Sequence, residues 1–283
     1  AITGSSTIVG STINGVGILA DATNFVDSIL ISQNASTGTL DSASSNTGLG
    51  DTVFSALTSG DFNTAVGFKA LEDHTTGASN TAIGAQALMN NTTAANNVAI
   101  GISALKTNTT GASNVAIGKN SLDANTTADN NTAVGADSLG ANTTGHDNTA
   151  IGMDAAKSIT TGEENVIVGH KAGDALTDAD YNVAVGRSSL TSDTLGSKTT
   201  AIGHGTLNTQ NFTSATDSHN TAVGYNAMAL TTTGLNNTAV GSLALDTNTT
   251  ASNNTAVGYA ALTANTTASG NVAVGYLTFS SGT

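Results

Sequence analysis

Apolar and polar residues recur in this chain with a fixed phase. The phrase Asn-(Thr/Val)-Ala-(Val/Ile)-Gly returns every 17 residues, closing on Gly67, Gly84, Gly101, Gly118, Gly135, Gly152, Gly169, Gly186, Gly203, Gly224, Gly241, Gly258 and Gly275; the step from Gly203 to Gly224 alone is 21. Val or Ile precedes all 13 glycines, and Ala stands two before 12 of them, with Ile167 the exception. Four after the glycine the residue is usually Leu, as at Leu71, Leu88 and Leu105, with Met228 and Phe279 in the same slot. Ala156 and Gly173 occupy that slot in two units, where a thinner core is expected. Asn opens 12 of the 13 phrases, with Thr199 in its place once, and Thr lies five residues before it in 12 of 13, Ala215 being the exception. A short fixed period of this kind means one structural unit stacked on copies of itself.

Seventeen residues cannot hold a helix pair. They can hold two short strands of about four residues and two turns. The first strand carries Ala-Val-Gly, and the second carries the Ala-Leu pair, as at Ala87-Leu88 and Ala104-Leu105. Segments such as Asn108 to Gly111 are turn chemistry. The expected fold is all-β, a parallel β-solenoid (β-roll) of 17-residue coils, hydrogen-bonded ~4.8 Å apart. Identical columns become ladders, Asn amide to amide and Thr hydroxyl to hydroxyl. The glycine column marks a positive φ or a close approach of backbone.

Strand neighbours alternate faces. The small Ala suits the inside of a coil, which turns the Val/Ile column outward, together with the Thr or Val two residues earlier, such as Val98, Val115, Val166, Val183 and Val272. An unbroken outward stripe of this kind marks an interface. The expected oligomer interface is therefore Val66, Ile83, Ile100, Ile117, Val134, Ile151, Val168, Val185, Ile202, Val223, Val240, Val257 and Val274. Subunits packed along their length as a small closed homo-oligomer are the natural outcome.

Composition narrows the picture. Only 10% of the residues are charged, yet the net charge is -13, and Cys, Pro and Trp are absent. An acidic surface argues against nucleic acid and anionic membranes, which need Lys/Arg clusters. No apolar run approaches the ~18 residues of a membrane-spanning helix. The strict register separates the chain from disordered sequences of similar polarity.

The phrases Asn80-Thr-Ala-Ile-Gly84, Asn114-Val-Ala-Ile-Gly118 and Asn271-Val-Ala-Val-Gly275 resemble the head repeats of YadA-type trimeric adhesins. They are also similar to repeats in bacteriophage tail-fibre and other virion appendage proteins. The resemblance covers roughly residues 46–283. It implies a left-handed parallel β-roll, three chains side by side as a homotrimer with the apolar stripe on the axis, and extracellular attachment to a host surface glycan or protein receptor. The period of 17 is longer than the usual adhesin head repeat, which favours a viral fibre or a secreted surface filament.

Residues 1–45 keep β-like phrases without strict phase, including Ser6 to Gly10, Ile13 to Gly17 and Ser28 to Ser32, and read as degenerate coils that cap the solenoid or dock it to a base. The repeat proper runs over residues 46–283, with a four-residue insertion around 207–219. Inserted loops of solenoids often bind partners, and Phe212 and His219 are the residues there with contact chemistry. The position just after each glycine varies most, and its Tyr225, Tyr259 and Tyr276 form a candidate contact surface. His170, Arg187 and His204 fall in the same column, where a trimer would gather rings of histidine.

Catalytic patterns are missing: no phosphate loop, no Ser-His-Asp or Cys-His set, and only the lone pair Glu163-Glu164. The reading is a non-enzymatic structural fibre or adhesin segment without cofactors or metals. Two alternatives stand beside it. One is an ice-binding solenoid, suggested by the doublets Thr92-Thr93, Thr109-Thr110, Thr126-Thr127 and Thr143-Thr144, of which one row faces out. The other is a filament that self-assembles end to end.

Overall fold

The computed structural model describes residues 11–13, 16–22, 25–32 and 37–280. It divides into two units, Ala1–Asn131 and Thr132–Thr283. The first unit holds β1 (Ser11–Ile13), β2 (Val16–Ala22), β3 (Phe25–Ser32), β4 (Ala43–Ser44), β5 (Thr47–Leu49), β6 (Thr64–Val66), β7 (Thr81–Ile83), β8 (Val98–Ile100) and β9 (Val115–Ile117). The second holds β10 (Thr132–Val134), β11 (Thr149–Ile151), β12 (Val166–Val168), β13 (Val183–Val185), β14 (Gly196–Ser197), β15 (Thr200–Ile202), β16 (Thr216–Asp217), β17 (Thr221–Val223), β18 (Thr238–Val240), β19 (Thr255–Val257) and β20 (Val272–Val274). Each unit is a parallel β-solenoid, with about 14 turns between them and no helix among the described residues.

Inside each unit the register equals the sequence period. Ala82 of β7 pairs with Ala99 of β8, and Ala150 of β11 with Ile167 of β12. The N-terminal segment departs from degenerate coils. β1, β2 and β3 form an antiparallel meander, and β3 then pairs in parallel with β4 and β5. The phrase Ser28 to Ser32 therefore lies in an eight-residue strand rather than in a short coil. Residues 6–10 lie outside those described.

The expected second strand of each coil does not form. The Ala-Leu segment is a turn, with positive φ at Leu88 (49°) and Leu105 (50°), and again two residues earlier at Gln86 (61°) and Ser103 (57°). The reason is burial. Ala87 and Leu88 are both fully buried, as are Ala104 and Leu105, whereas a strand would send neighbours to opposite faces. A left-handed residue costs an L-amino acid roughly 1–2 kcal/mol. With two such residues per turn the cost is roughly 2–4 kcal/mol, which burial of the Leu side chain, at roughly 1.5–3 kcal/mol, offsets in large part. The turns remain laddered, because Leu88 N–H donates to the Ala104 carbonyl at 3.0 Å and Gln86 N–H to the Phe68 carbonyl at 2.8 Å.

The glycine column satisfies both sequence-based expectations. Gly101 has φ of +136°, and a Cβ there would sit 2.5 Å from the carbonyl oxygen of Gly118 on the next coil.

The core does not thin at Ala156 and Gly173. Three residues further on, where other coils carry a buried Asn, stand Ile159 and Leu176, both fully buried. Ile167, the one departure from the Ala column, also fills this region: a Cβ on Gly173 would lie 2.9 Å from Leu176 Cδ1 and 3.3 Å from Ile167 Cδ1. Volume removed from one inner column is restored by its neighbours, as close packing of interiors demands.

Candidate functional site

Two buried polar ladders aim the strand side chains. In the first, the Asn that opens each phrase donates its backbone N–H to the Oδ1 of the Asn one coil earlier, as Asn97 does to Asn80 at 3.0 Å and Asn114 to Asn97 at 2.9 Å. Its Nδ2 reaches a carbonyl 14 residues on, Asn97 to Gly111 at 2.9 Å and Asn182 to Gly196 at 2.9 Å. The expected amide-to-amide bonds also occur, for example Asn165 Nδ2 to Asn148 Oδ1 at 3.0 Å, but the backbone takes most of the bonding.

A second ladder escaped the sequence reading. Asn91, Asn108 and Asn125 are fully buried and bond amide to amide, at 3.0 Å and 2.8 Å. Each also donates to a carbonyl three residues on, as Asn108 does to Gly111 at 2.9 Å. The Gly111 carbonyl thus receives one amide from each ladder, which fills both of its lone pairs. The signal was present as a 17-residue recurrence of Asn, masked by the turn-like context Asn-Thr-Thr-Gly. His74 heads this column in the first unit. Its Nε2–H meets the Gly77 carbonyl at 2.8 Å, and its Nδ1 accepts from Asn91 Nδ2 at 3.0 Å. Burial holds its pKa below the usual histidine value.

With Asn and Ala fixed inward, Val and Ile turn out. The Ala of each strand is fully buried while its neighbours Ile83, Ile100, Ile117, Ile151, Ile202 and Val240 stay 37–41% exposed. In the first unit Val66, Ile83, Ile100 and Ile117 stack in register; in the second Val134, Ile151, Val168, Val185, Ile202, Val223, Val240, Val257 and Val274 do so. No charged side chain interrupts this column in either unit.

The column after the glycine also faces out. Tyr225, Tyr259 and Tyr276 are exposed. The His204 and Tyr225 rings stack with centroids 5.5 Å apart and planes 15° apart; Tyr259 and Tyr276 stack at 5.4 Å and 17°. Arg187 Nη1 lies 3.4 Å from His204 Nε2. Among the described residues no three His, Asp or Glu side chains converge as a metal site.

Phe212 is not a contact residue. It is only 6% exposed, and the insertion loop folds it inward against Gly196, where a Cβ would meet its ring at 2.8 Å. His219 does remain exposed, with φ of 49°. Beneath the loop lies a rebuilt polar network. Thr199 replaces the ladder Asn, and the Asn220 N–H turns instead to Ser218 Oγ at 3.2 Å. The fully buried Asp193 accepts from the backbone N–H of Gly196 (3.1 Å) and Phe212 (3.0 Å) and from Gln210 Nε2 (2.6 Å), while Gln210 Oε1 accepts from Asn220 Nδ2 (2.8 Å). Outside it, β14 pairs with β16, and Lys198 bridges to Asp217.

The threonine doublets divide by role. The first Thr of each pair spends its hydroxyl on the next coil's carbonyl, as Thr92 does to Thr109 at 3.1 Å and Thr109 to Thr126 at 3.0 Å. This replaces the expected hydroxyl-to-hydroxyl ladder. The second Thr, as at Thr76, Thr93, Thr110 and Thr127, is exposed, and in the second unit that row breaks at Asp178 and Leu195. On the same unit His146 lies between Asp147 (2.7 Å) and Glu163 (2.5 Å). The Asp147 hydrogen bond, with help from Glu163 and Glu164, raises its pKa. The Glu164 carboxylate, followed by burial, raises that of Tyr181.

Fold and surface together define a parallel β-solenoid repeat protein with an uninterrupted outward apolar column on each unit. Comparison with models of known families, with curated proteins and with solved structures found no match. No helix among the described residues is long and apolar enough to cross a membrane.

Proposed function

We propose that this chain is a non-enzymatic structural segment of an extracellular attachment fibre, on a virion appendage or a cell surface, and that it works as a homotrimer. Three left-handed β-rolls lie side by side, with the Val/Ile columns turned toward the common axis. One observation carries this reading: both units present an outward column of Val and Ile in strict register, without a charge, on strands whose other face is already packed. Water-exposed apolar stripes of this kind are stabilised by burial against like surfaces. The hand of the coil and the link to host attachment follow from the resemblance to adhesin heads and tail fibres.

The alternatives draw less support. An ice-binding face needs a regular outward row of hydroxyls, and in the second unit the exposed Thr row is interrupted at Asp178 and Leu195. End-to-end stacking of coils needs a coil edge at both ends, and β5 is covered by β3 of the antiparallel meander rather than by a coil.

Native mass by light scattering tests the trimer. A value near 83 kDa, three times the 27.7 kDa chain, is expected, and the variant I151D/V185D/V223D should fall to the single-chain mass. A wild-type chain that is monomeric at micromolar concentration overturns the proposal.

A further inference from the structure

We infer that Tyr225, Ser242 and Tyr259 form a slot that takes one pyranose ring of a neutral saccharide between two tyrosine faces. Naming a saccharide rests on the attachment reading above; the slot itself does not depend on the trimer.

The three residues occupy successive rungs of one column. Leu243 N–H donates to the Tyr225 carbonyl at 2.9 Å, and Ala260 N–H donates to the Ser242 carbonyl at 2.9 Å. Each tyrosine has one face already covered. His204 backs Tyr225, and Tyr276 backs Tyr259, both in near-parallel stacks. Their remaining faces are turned toward the rung of Ser242, whose side chain is too short to fill it. The run of rings is thus interrupted at Ser242, the one rung between His204 and Tyr276 that carries no ring. The backing rings hold both walls at a fixed tilt, so little side-chain entropy is lost when a ligand enters.

The dimensions choose the ligand. Rungs are ~4.8 Å apart, which places the two walls ~10 Å from each other. Carbon contacts of ~3.5–4.0 Å on each face leave a layer ~2–3 Å deep. A puckered ring with substituents above and below fills that depth closely, whereas a flat aromatic ring enters but leaves a gap against the walls. The slot is open to water at its rim, since both tyrosines are exposed. A pyranose matches this, because it offers C–H groups to the ring faces and hydroxyls to solvent and to Ser242. The net charge of -13 disfavours anionic rings such as nucleotides or acidic sugars. The residues lie beyond the strand ends, in the turn that follows Gly224, Gly241 and Gly258.

The test is saturation-transfer NMR and tyrosine fluorescence, the chain having no Trp. Methyl β-glucopyranoside and methyl β-galactopyranoside serve as probes, with p-cresol as a flat ligand, on the intact chain. At least one pyranoside should bind, in the millimolar range expected for a single-ring ligand. Ser242→Tyr fills the slot while leaving both walls in place and should abolish that binding. Tyr259→Ala should weaken it about tenfold, the loss of one stacked face. Light scattering on the same samples separates a failed slot from a failed trimer. Absence of pyranoside binding, binding that survives Ser242→Tyr, or binding of p-cresol alone overturns the inference.

Discussion

Replacing Asn97 by Ala removes one rung of the first ladder, and the geometry sets the cost. The Asn114 N–H, which donates to Asn97 Oδ1 at 2.9 Å, is left without an acceptor in a fully buried site. A buried donor orphaned in this way costs ~1–3 kcal/mol. The Gly111 carbonyl loses one of its two amides but keeps Asn108 Nδ2 at 2.9 Å, a net loss of ~0.5–1.5 kcal/mol. The expected destabilisation is therefore ~1.5–4.5 kcal/mol. Thr109→Val is the control. It deletes the 3.0 Å bond from the hydroxyl to the Thr126 carbonyl, yet that carbonyl still accepts Thr109 N–H at 2.9 Å, so nothing is orphaned and the cost stays below ~1 kcal/mol. Equilibrium urea unfolding followed by circular dichroism compares the two at equal slope. If Asn97→Ala costs no more than Thr109→Val, the ladder is not what closes the coils. The chain contains a related case at Thr199, where the following coil keeps its N–H satisfied only by recruiting Ser218.

Four further outcomes are expected. Gly101→Ala meets the Gly118 carbonyl at 2.5 Å in a left-handed backbone and should lower the urea midpoint sharply, whereas Gly270→Ala, with φ of +78° and open space around it, should cost only the ~1 kcal/mol of backbone strain. Because burial lowers the His74 pKa, the unfolded chain binds a proton that the folded chain refuses; stability should fall as pH drops below the ordinary 6.5 and level off beneath the folded-state value, and His74→Asn should remove that slope from a melting-temperature series against pH. Asp193→Asn should destabilise by ~1–3 kcal/mol in the same urea assay although Asn is the common residue of its column, because its new Nδ2 faces Gln210 Nε2 and turning Gln210 over would oppose Asn220. In the pair Ala156→Leu and Ile159→Asn, each single change should cost ~1–4 kcal/mol and the double change less than their sum by ~2 kcal/mol; additive costs would refute compensation between the columns.

The period, the parallel register, the inward Ala and the outward Val/Ile were all legible in the sequence, because strict alternation over three residues admits one orientation once Ala is placed inside. The turn was harder to read. Ala87 and Leu88 are adjacent and apolar, which suggests a strand, and only their joint burial shows that the backbone must turn left-handed between coils. Column-by-column reading takes Ala156 and Gly173 as one irregularity and Ile167 as another, and passes over Ile159 and Leu176. They are one event, since each inner column borders two others and the space is shared. Phe212 misled for a similar reason: an aromatic in an insertion reads as exposed, yet Gly196 had already left the cavity it fills. Thr199, Asp193, Gln210, Ser218 and Phe212 then belong together, as the set of changes that lets one coil carry four extra residues without leaving the buried Asn220 N–H unsatisfied. A repeat protein of this kind tolerates variation only where the variation is paired across columns. The post-glycine column, which no inner column constrains, is therefore where the chain is free to place the tyrosines and the gap at Ser242.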